Sequence, residues 1–147
     1  MSQTNHRIGL VPGGIAEIFE GYPKEGTHPD EEYSILRRGF LRLASQYNLP
    51  VVPIYCFGAT KMFHRLDMPI LEYLSKLFRI SVCIFFGQFG LPIPFRQQLM
   101  YVIGKPIQPS EDTAKMQRDF ADELVRIFDR HKEAYGWGAK TLKVLLK

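Results

Sequence analysis

The sequence predicts an α/β fold, a single domain in which a mixed, mostly parallel sheet is flanked by helices. Three observations lead there. Short runs of β-branched and aromatic residues end at Gly or Pro, and they alternate with longer segments whose apolar residues recur at steps of three and four. The 147 residues are enough for one core, and a content of 46% hydrophobic and 23% charged residues excludes disordered and fibrous classes. Residues 1–136 are expected to form the domain and 137–147 a short basic, apolar tail.

Taken in order, residues 8–11 form an apolar run ended by Pro12-Gly13-Gly14, which predicts a buried strand breaking into a tight turn. Residues 21–30 read as loop. Residues 33–47 carry Leu36, Phe40, Leu43, Ala44 and Tyr47 on one helical face, with Arg37, Arg38 and Arg42 off it. Residues 51–57 predict a central strand despite Pro53. A second helix is expected over 67–78, with Ile70, Leu71, Leu74, Leu77 and Phe78 on one stripe, then a strand over 80–86 and a Gly/Pro loop over 87–95. Residues 100–103 predict the last strand, ended by Gly104-Lys105-Pro106. Ser110 is the expected N-cap of a final helix over 113–135, with Glu111 and Asp112 in its first turn and Gly136 ending it.

The formal charge of +4 and pI near 9.1 favour an anionic partner: nucleic acid, phospholipid surface or phosphorylated cofactor. Charge alone supports the first, and no nucleic acid is expected. Cys56 and Cys83 sit in apolar runs as small hydrophobes, which argues against a disulfide and for a reducing compartment. His6, His28, His64 and His131 lack ligand spacing, so no metal is expected. Residues 1–7 do not resemble a signal peptide. The uncharged stretch 80–95 is broken by Gly87, Gln88, Gly90, Pro92 and Pro94 and falls short of the roughly 20 apolar residues of a spanning helix.

The nucleophile elbow, the phosphate loop and the dinucleotide fingerprint are all missing. Glu17 follows the glycine turn by three residues. It either orients a histidine base beside backbone N–H groups that steady an oxyanion, or merely caps a turn and faces solvent. Arg37, Arg38 and Arg42 either grip phosphate oxygens or form a solvated face. Gly39 within a helix costs about 1 kcal/mol against alanine, so close packing or ligand approach is expected to require it. His28-Pro29 lies in a polar turn and reads as surface loop, and His131 as a structural residue near a helix end. The apolar segment from Phe85 to Arg96 has two readings, a core element or a loop that dips into a membrane interface or lines an acyl tunnel.

Together, Val11-Pro12-Gly13-Gly14-Ile15-Ala16-Glu17, Arg37-Arg38-Gly39-Phe40-Leu41-Arg42-Leu43-Ala44 and Val52-Pro53-Ile54-Tyr55-Cys56-Phe57-Gly58 resemble the type-2 diacylglycerol acyltransferase family. Further matches are Phe86-Gly87, Leu91-Pro92-Ile93-Pro94-Phe95-Arg96, Val102-Ile103-Gly104-Lys105-Pro106-Ile107 and Phe128-Asp129-Arg130-His131-Lys132. The resemblance implies an acyltransferase-like domain that moves a fatty acyl group from acyl-CoA to diacylglycerol, monoacylglycerol or a long-chain alcohol. It implies work at the cytosolic face of the endoplasmic reticulum membrane or at a lipid droplet, with acyl-CoA as substrate and no separate cofactor. The family's base is the histidine of a His-Pro-His-Gly motif upstream of the glycine turn, and this sequence has none. The chain is therefore expected to match the family's C-terminal part, with Glu17 supporting a histidine outside it. Pro12, Gly13, Gly14, Arg37, Arg38, Gly39, Phe40, Phe57 and Gly58 are the candidate substrate-binding residues, Arg37 and Arg38 for the CoA phosphates. The rival expectation is a non-catalytic relative that binds lipid or membrane surfaces through residues such as Phe89 and Phe95.

Overall fold

The structure is a computed structural model and describes residues 8–12, 28–65 and 85–147. Its elements are β1 (Glu31–Leu36), α1 (Gly39–Gln46), β2 (Ile54–Phe57), a 3-10 turn (Ala59–Lys61), β3 (His64–Arg65), β4 (Phe85–Phe86), a second 3-10 turn (Gln88–Gly90), β5 (Met100–Ile103), α2 (Thr113–His131) and β6 (Thr141–Leu146). The α/β class holds. Of the described strand pairs, β1–β6 is parallel, whereas β2–β5 and β3–β4 run antiparallel, so the expected predominance of parallel pairing rests on one pair.

Helix α2 organises the core. Its residues Met116, Phe120, Leu124, Ile127 and Phe128 are buried at the three-and-four spacing of one face. They pack against Leu36, Leu41, Phe57, Trp137 and Leu142. In the β2–β5 pair, Phe57 is buried, and Tyr55, Met100 and Val102 also pack on this core. Ile54, Tyr101 and Ile103 on the opposite face are exposed, which is the period-two alternation of a sheet covered on one side. Pro53 interrupts the pairing as expected: Val51 and Ile107 form an isolated antiparallel bridge before it, the continuous ladder begins only at Ile54, and the Pro53 carbonyl accepts the Gly104 N–H at 2.8 Å.

Several expectations need correction. The apolar residues Ile8, Leu10 and Val11 form no strand and are exposed, Ile8 by 86%. The segment expected as one helix over 33–47 splits: residues through Leu36 belong to β1, and helix begins only at Gly39. Leu43 and Tyr47 consequently face solvent, and Leu41 with Ala44 makes the buried stripe. Pairing with β6 outweighs the local helical spacing, since β1 gains six register partners from Glu31↔Thr141 to Leu36↔Leu146. That same pairing turns most of the expected tail into a strand, preceded by a Trp137 only 5% exposed. The N-cap of α2 is Asp112, not Ser110, because the Asp112 carboxylate accepts the Lys115 N–H at 2.9 Å. Ser110 lies two residues outside, its hydroxyl accepting the Asp112 N–H at 3.3 Å. At the other end Gly136 adopts φ 84° and closes a Schellman arrangement, with the Gly136 N–H on the Glu133 carbonyl at 2.9 Å and the Trp137 N–H on the Lys132 carbonyl at 2.7 Å. The helix expected over 67–78 and the first residues of the strand expected over 80–86 lie outside the described residues. None of the described helices is long and apolar enough to cross a membrane.

Candidate functional site

The turn from β1 into α1 carries four of the expected site residues. Arg37 is exposed at the end of β1. Arg38 caps α1 and is tied into the fold twice: its N–H donates to the Lys147 carbonyl at 3.2 Å, and its Nε donates to Gln117 Oε1 at 2.7 Å. Gln117 is 1% exposed, yet its amide is fully engaged, since Nε2 donates to the carbonyls of Leu36 at 2.8 Å and Lys147 at 3.4 Å. One buried amide thus holds the ends of β1 and β6 and aims the guanidinium of Arg38. Arg42 is exposed one turn on, so Arg37 and Arg42 add two further solvent-facing cations to this corner.

Gly39 is the first residue of α1, so the penalty of an interior glycine does not apply, and a Cβ there would meet nothing within 4 Å. Protein packing therefore gives no reason for glycine at this position. Phe40 packs edge-on to Phe120 with ring centroids 5.6 Å apart.

Phe57 and Gly58 sit elsewhere. Phe57 is fully buried, stacked on Phe128 at 5.3 Å and tilted against Tyr135 at 5.4 Å and Trp137 at 5.7 Å. Gly58 has φ 85°, and a Cβ on it would fall 2.2 Å from the Tyr135 hydroxyl oxygen and 2.6 Å from the Gln98 carbonyl. That hydroxyl accepts from Gln97 Nε2 at 2.8 Å and donates to Gln98 at 2.6 Å. Phe57 and Gly58 thus form a packing junction against Phe128, Tyr135 and Trp137. Phe120 and Phe128 are eight residues apart, so the two clusters meet α2 about 12 Å from each other along its axis.

Pro12 is half-buried. Gly13, Gly14 and Glu17 lie outside the described residues. His28 stands in an exposed turn where its Nδ1 accepts the Asp30 N–H at 3.3 Å, as expected of surface loop. The His131 Nδ1 lies 2.8 Å from the Ile127 carbonyl and belongs to the helix end.

Residue spacing shows no sign of a second polar centre that the fold assembles. Glu123, 8% exposed, accepts from Lys105 N–H at 2.6 Å and from both Nε and Nη2 of Arg126 at 2.6 Å. The Arg126 guanidinium and, after it, the Lys105 amide hold this carboxyl down at about 2. It lines an open groove of about 590 Å³ between residues 105–110 and α2, where Lys105, Lys115 and Arg126 face Asp119, Asp122 and Glu123. Cations and anions balance there, and the groove contains none of the residues expected to bind substrate. The Gly104-Lys105-Pro106 sequence marks this turn, but the carboxylate partner comes from 18 residues away.

Comparison with known proteins agrees with the family resemblance. The family model described as diacylglycerol acyltransferase matches residues 2–146. Human acyl-CoA wax alcohol acyltransferase 1 is 29% identical over 90% of this chain and 45% of its own length. Diacylglycerol O-acyltransferase 1 of Eremothecium gossypii is 31% identical over 97% of this chain and 35% of its own length, and bovine 2-acylglycerol O-acyltransferase 1 is 26% identical over 86% and 42%. The chain spans less than half the length of these curated relatives. No solved structure matches it. With the family model covering almost every residue, the chain belongs to the diacylglycerol acyltransferase family.

Proposed function

We propose that the chain is part of an acyl-CoA-dependent O-acyltransferase of neutral-lipid synthesis, which passes a fatty acyl group to the hydroxyl of diacylglycerol, monoacylglycerol or a long-chain alcohol. The observation that carries this is the family match over residues 2–146, and the relatives' names supply the range of acceptors. The acceptor oxygen attacks the thioester carbonyl carbon while a base takes its proton. The tetrahedral oxyanion then collapses, the C–S bond breaks, and the CoA thiolate leaves and is protonated. The sequence has no His-Pro-His-Gly, so the base is assigned to a histidine outside these 147 residues, oriented by Glu17, with Gly13 and Gly14 N–H groups steadying the oxyanion. Arg37 contacts the CoA phosphates, and Arg38, held by Gln117, presents a pre-oriented guanidinium beside it. The setting is the cytosolic face of the endoplasmic reticulum membrane or a lipid droplet.

The test is transfer from labelled acyl-CoA to diacylglycerol in detergent micelles, for this chain and for the chain extended upstream to include a His-Pro-His-Gly motif. The extended protein is expected to turn over and the 147-residue chain to be inert. In the extended protein, Arg37→Glu should raise KM for acyl-CoA by roughly tenfold, the loss of one charged contact, with kcat nearly unchanged. Turnover by the 147-residue chain that survives His28→Ala would remove the external base, and an inert extended protein would remove the enzyme.

A further inference from the structure

We propose that the loop between Gly87 and Pro94 is where this chain enters a lipid interface, with Phe89 as the leading side chain. The inference rests on the lipid-acyltransferase reading and adds to it the point of insertion.

Six consecutive residues without a polar side chain, Phe89-Gly90-Leu91-Pro92-Ile93-Pro94, are all exposed, Phe89 by 91%. An unbroken exposed run of that kind is unfavourable in water unless something else covers it. The loop is also held rigid. Gly87 N–H donates to the Leu91 carbonyl at 2.7 Å, Gln88 N–H to Ile93 at 2.8 Å and Gln88 Nε2 to Pro94 at 2.9 Å. Phe95 N–H ties its far end to Met62 at 2.8 Å. Gly87 packs so closely that a Cβ would fall 1.8 Å from the Ile93 carbonyl oxygen. At the tip Phe89 itself is left-handed, φ 58°, a conformation unfavourable for a bulky side chain that persists only where its surroundings impose it. The combined effect of these hydrogen bonds is to aim a phenyl ring into solvent.

Charge selects the occupant. Residues 58–63 and 86–99 contain no carboxylate of their own; the Glu32 carboxylate that reaches Thr60 is buried and paired with Lys140, Arg96 is exposed, and Lys61, also exposed, has its Nζ 5.1 Å from the Trp137 ring centroid. An exposed apolar tip on a segment whose one charged residue is the cation Arg96 matches an interface of acyl chains beneath anionic headgroups. A tunnel-lining role does not fit, since the ring is turned outward. Phe95, the other aromatic expected to touch lipid, is only half-exposed at the fixed end of the loop.

The experiment uses Phe89→Trp and vesicles of phosphatidylcholine with phosphatidylserine, some bearing doxyl-labelled acyl chains. Trp137 is buried and serves as the internal reference. The expected result is a blue-shifted emission from the indole introduced by F89W, quenched by doxyl lipid, with wild-type emission unaffected. Phe89→Asp should lower vesicle partitioning by roughly tenfold, as burial of one phenyl ring implies. Phe89→Gly, which relieves the left-handed strain, should also bind less while unfolding no more readily. Vesicle binding that leaves the introduced indole unquenched overturns the insertion point, and so does failure of the wild type to bind. Protection of that indole only when the protein is concentrated, without lipid, assigns the tip to a second copy and also overturns the proposal. Acyl transfer in detergent micelles reads the enzyme independently of all three outcomes.

Discussion

Glu123 shows how much one carboxylate fixes here. It joins the turn after β5 to α2 through the Lys105 amide and the Arg126 fork, so Glu123→Ala leaves three N–H donors without their acceptor and should cost about 1–3 kcal/mol in urea unfolding. The folded carboxyl lies at about 2 against an ordinary 4.5. A group lowered in the folded state contributes its stabilisation in full above the unfolded value and loses it as the pH falls toward the folded one. The gap between wild type and Glu123→Gln should therefore narrow from about pH 7 to about pH 3; an equal gap at both would refute the ion-pair account. Gly58 offers a second test at this scale. Gly58→Ala combines a left-handed backbone with a collision at Tyr135 and should cost roughly 2–5 kcal/mol, visible as a lower Tm. An unchanged Tm with raised KM would instead place Gly58 at the substrate site.

Among the elements, β1 and β6 are the least legible in the sequence. The residues of β1, Glu-Glu-Tyr-Ser-Ile-Leu, carry two carboxylates at the start, and Leu36 continues a helical spacing into Phe40. Nothing local outweighs that pattern, because its stabilising partner lies far along the chain. Helix α2 and β5, in contrast, follow from local periodicity and from the turn residues beside them. At the corner, sequence picks out Arg38 as a phosphate ligand but does not show the Gln117 amide that holds it, which arrives from a different element. Removing that amide tests the junction. Gln117→Leu removes one of two donors from each of the Leu36 and Lys147 carbonyls, which keep the Lys147 and Arg38 N–H groups, and should destabilise by about 0.5–1.5 kcal/mol, with β6 amides losing hydrogen-exchange protection before those of α2. Equal loss across both elements would mean that Gln117 serves the whole core and not this seam.

For the molecule as a whole, the α/β class is readable because strand-like and helical segments alternate, while the pairing order is not, since it depends on which distant edges meet. The described strands form two-stranded pairs, with α2 touching both β2–β5 and β6. The expected substrate-binding residues divide the same way. Arg37 and Arg38 share one corner, and Phe57 and Gly58 belong to the aromatic core about 12 Å along α2. The parallel β1–β6 pair has a further consequence in time. Each of its registers joins residues 110 positions apart, as Glu31 and Thr141 are, so closing it means ordering the ends of a very long intervening loop before any ladder bond offsets that entropy. The seam that Gln117 later secures is thus a late event in folding, and until it closes the β1 edge stays open to any other extended chain that reaches it first.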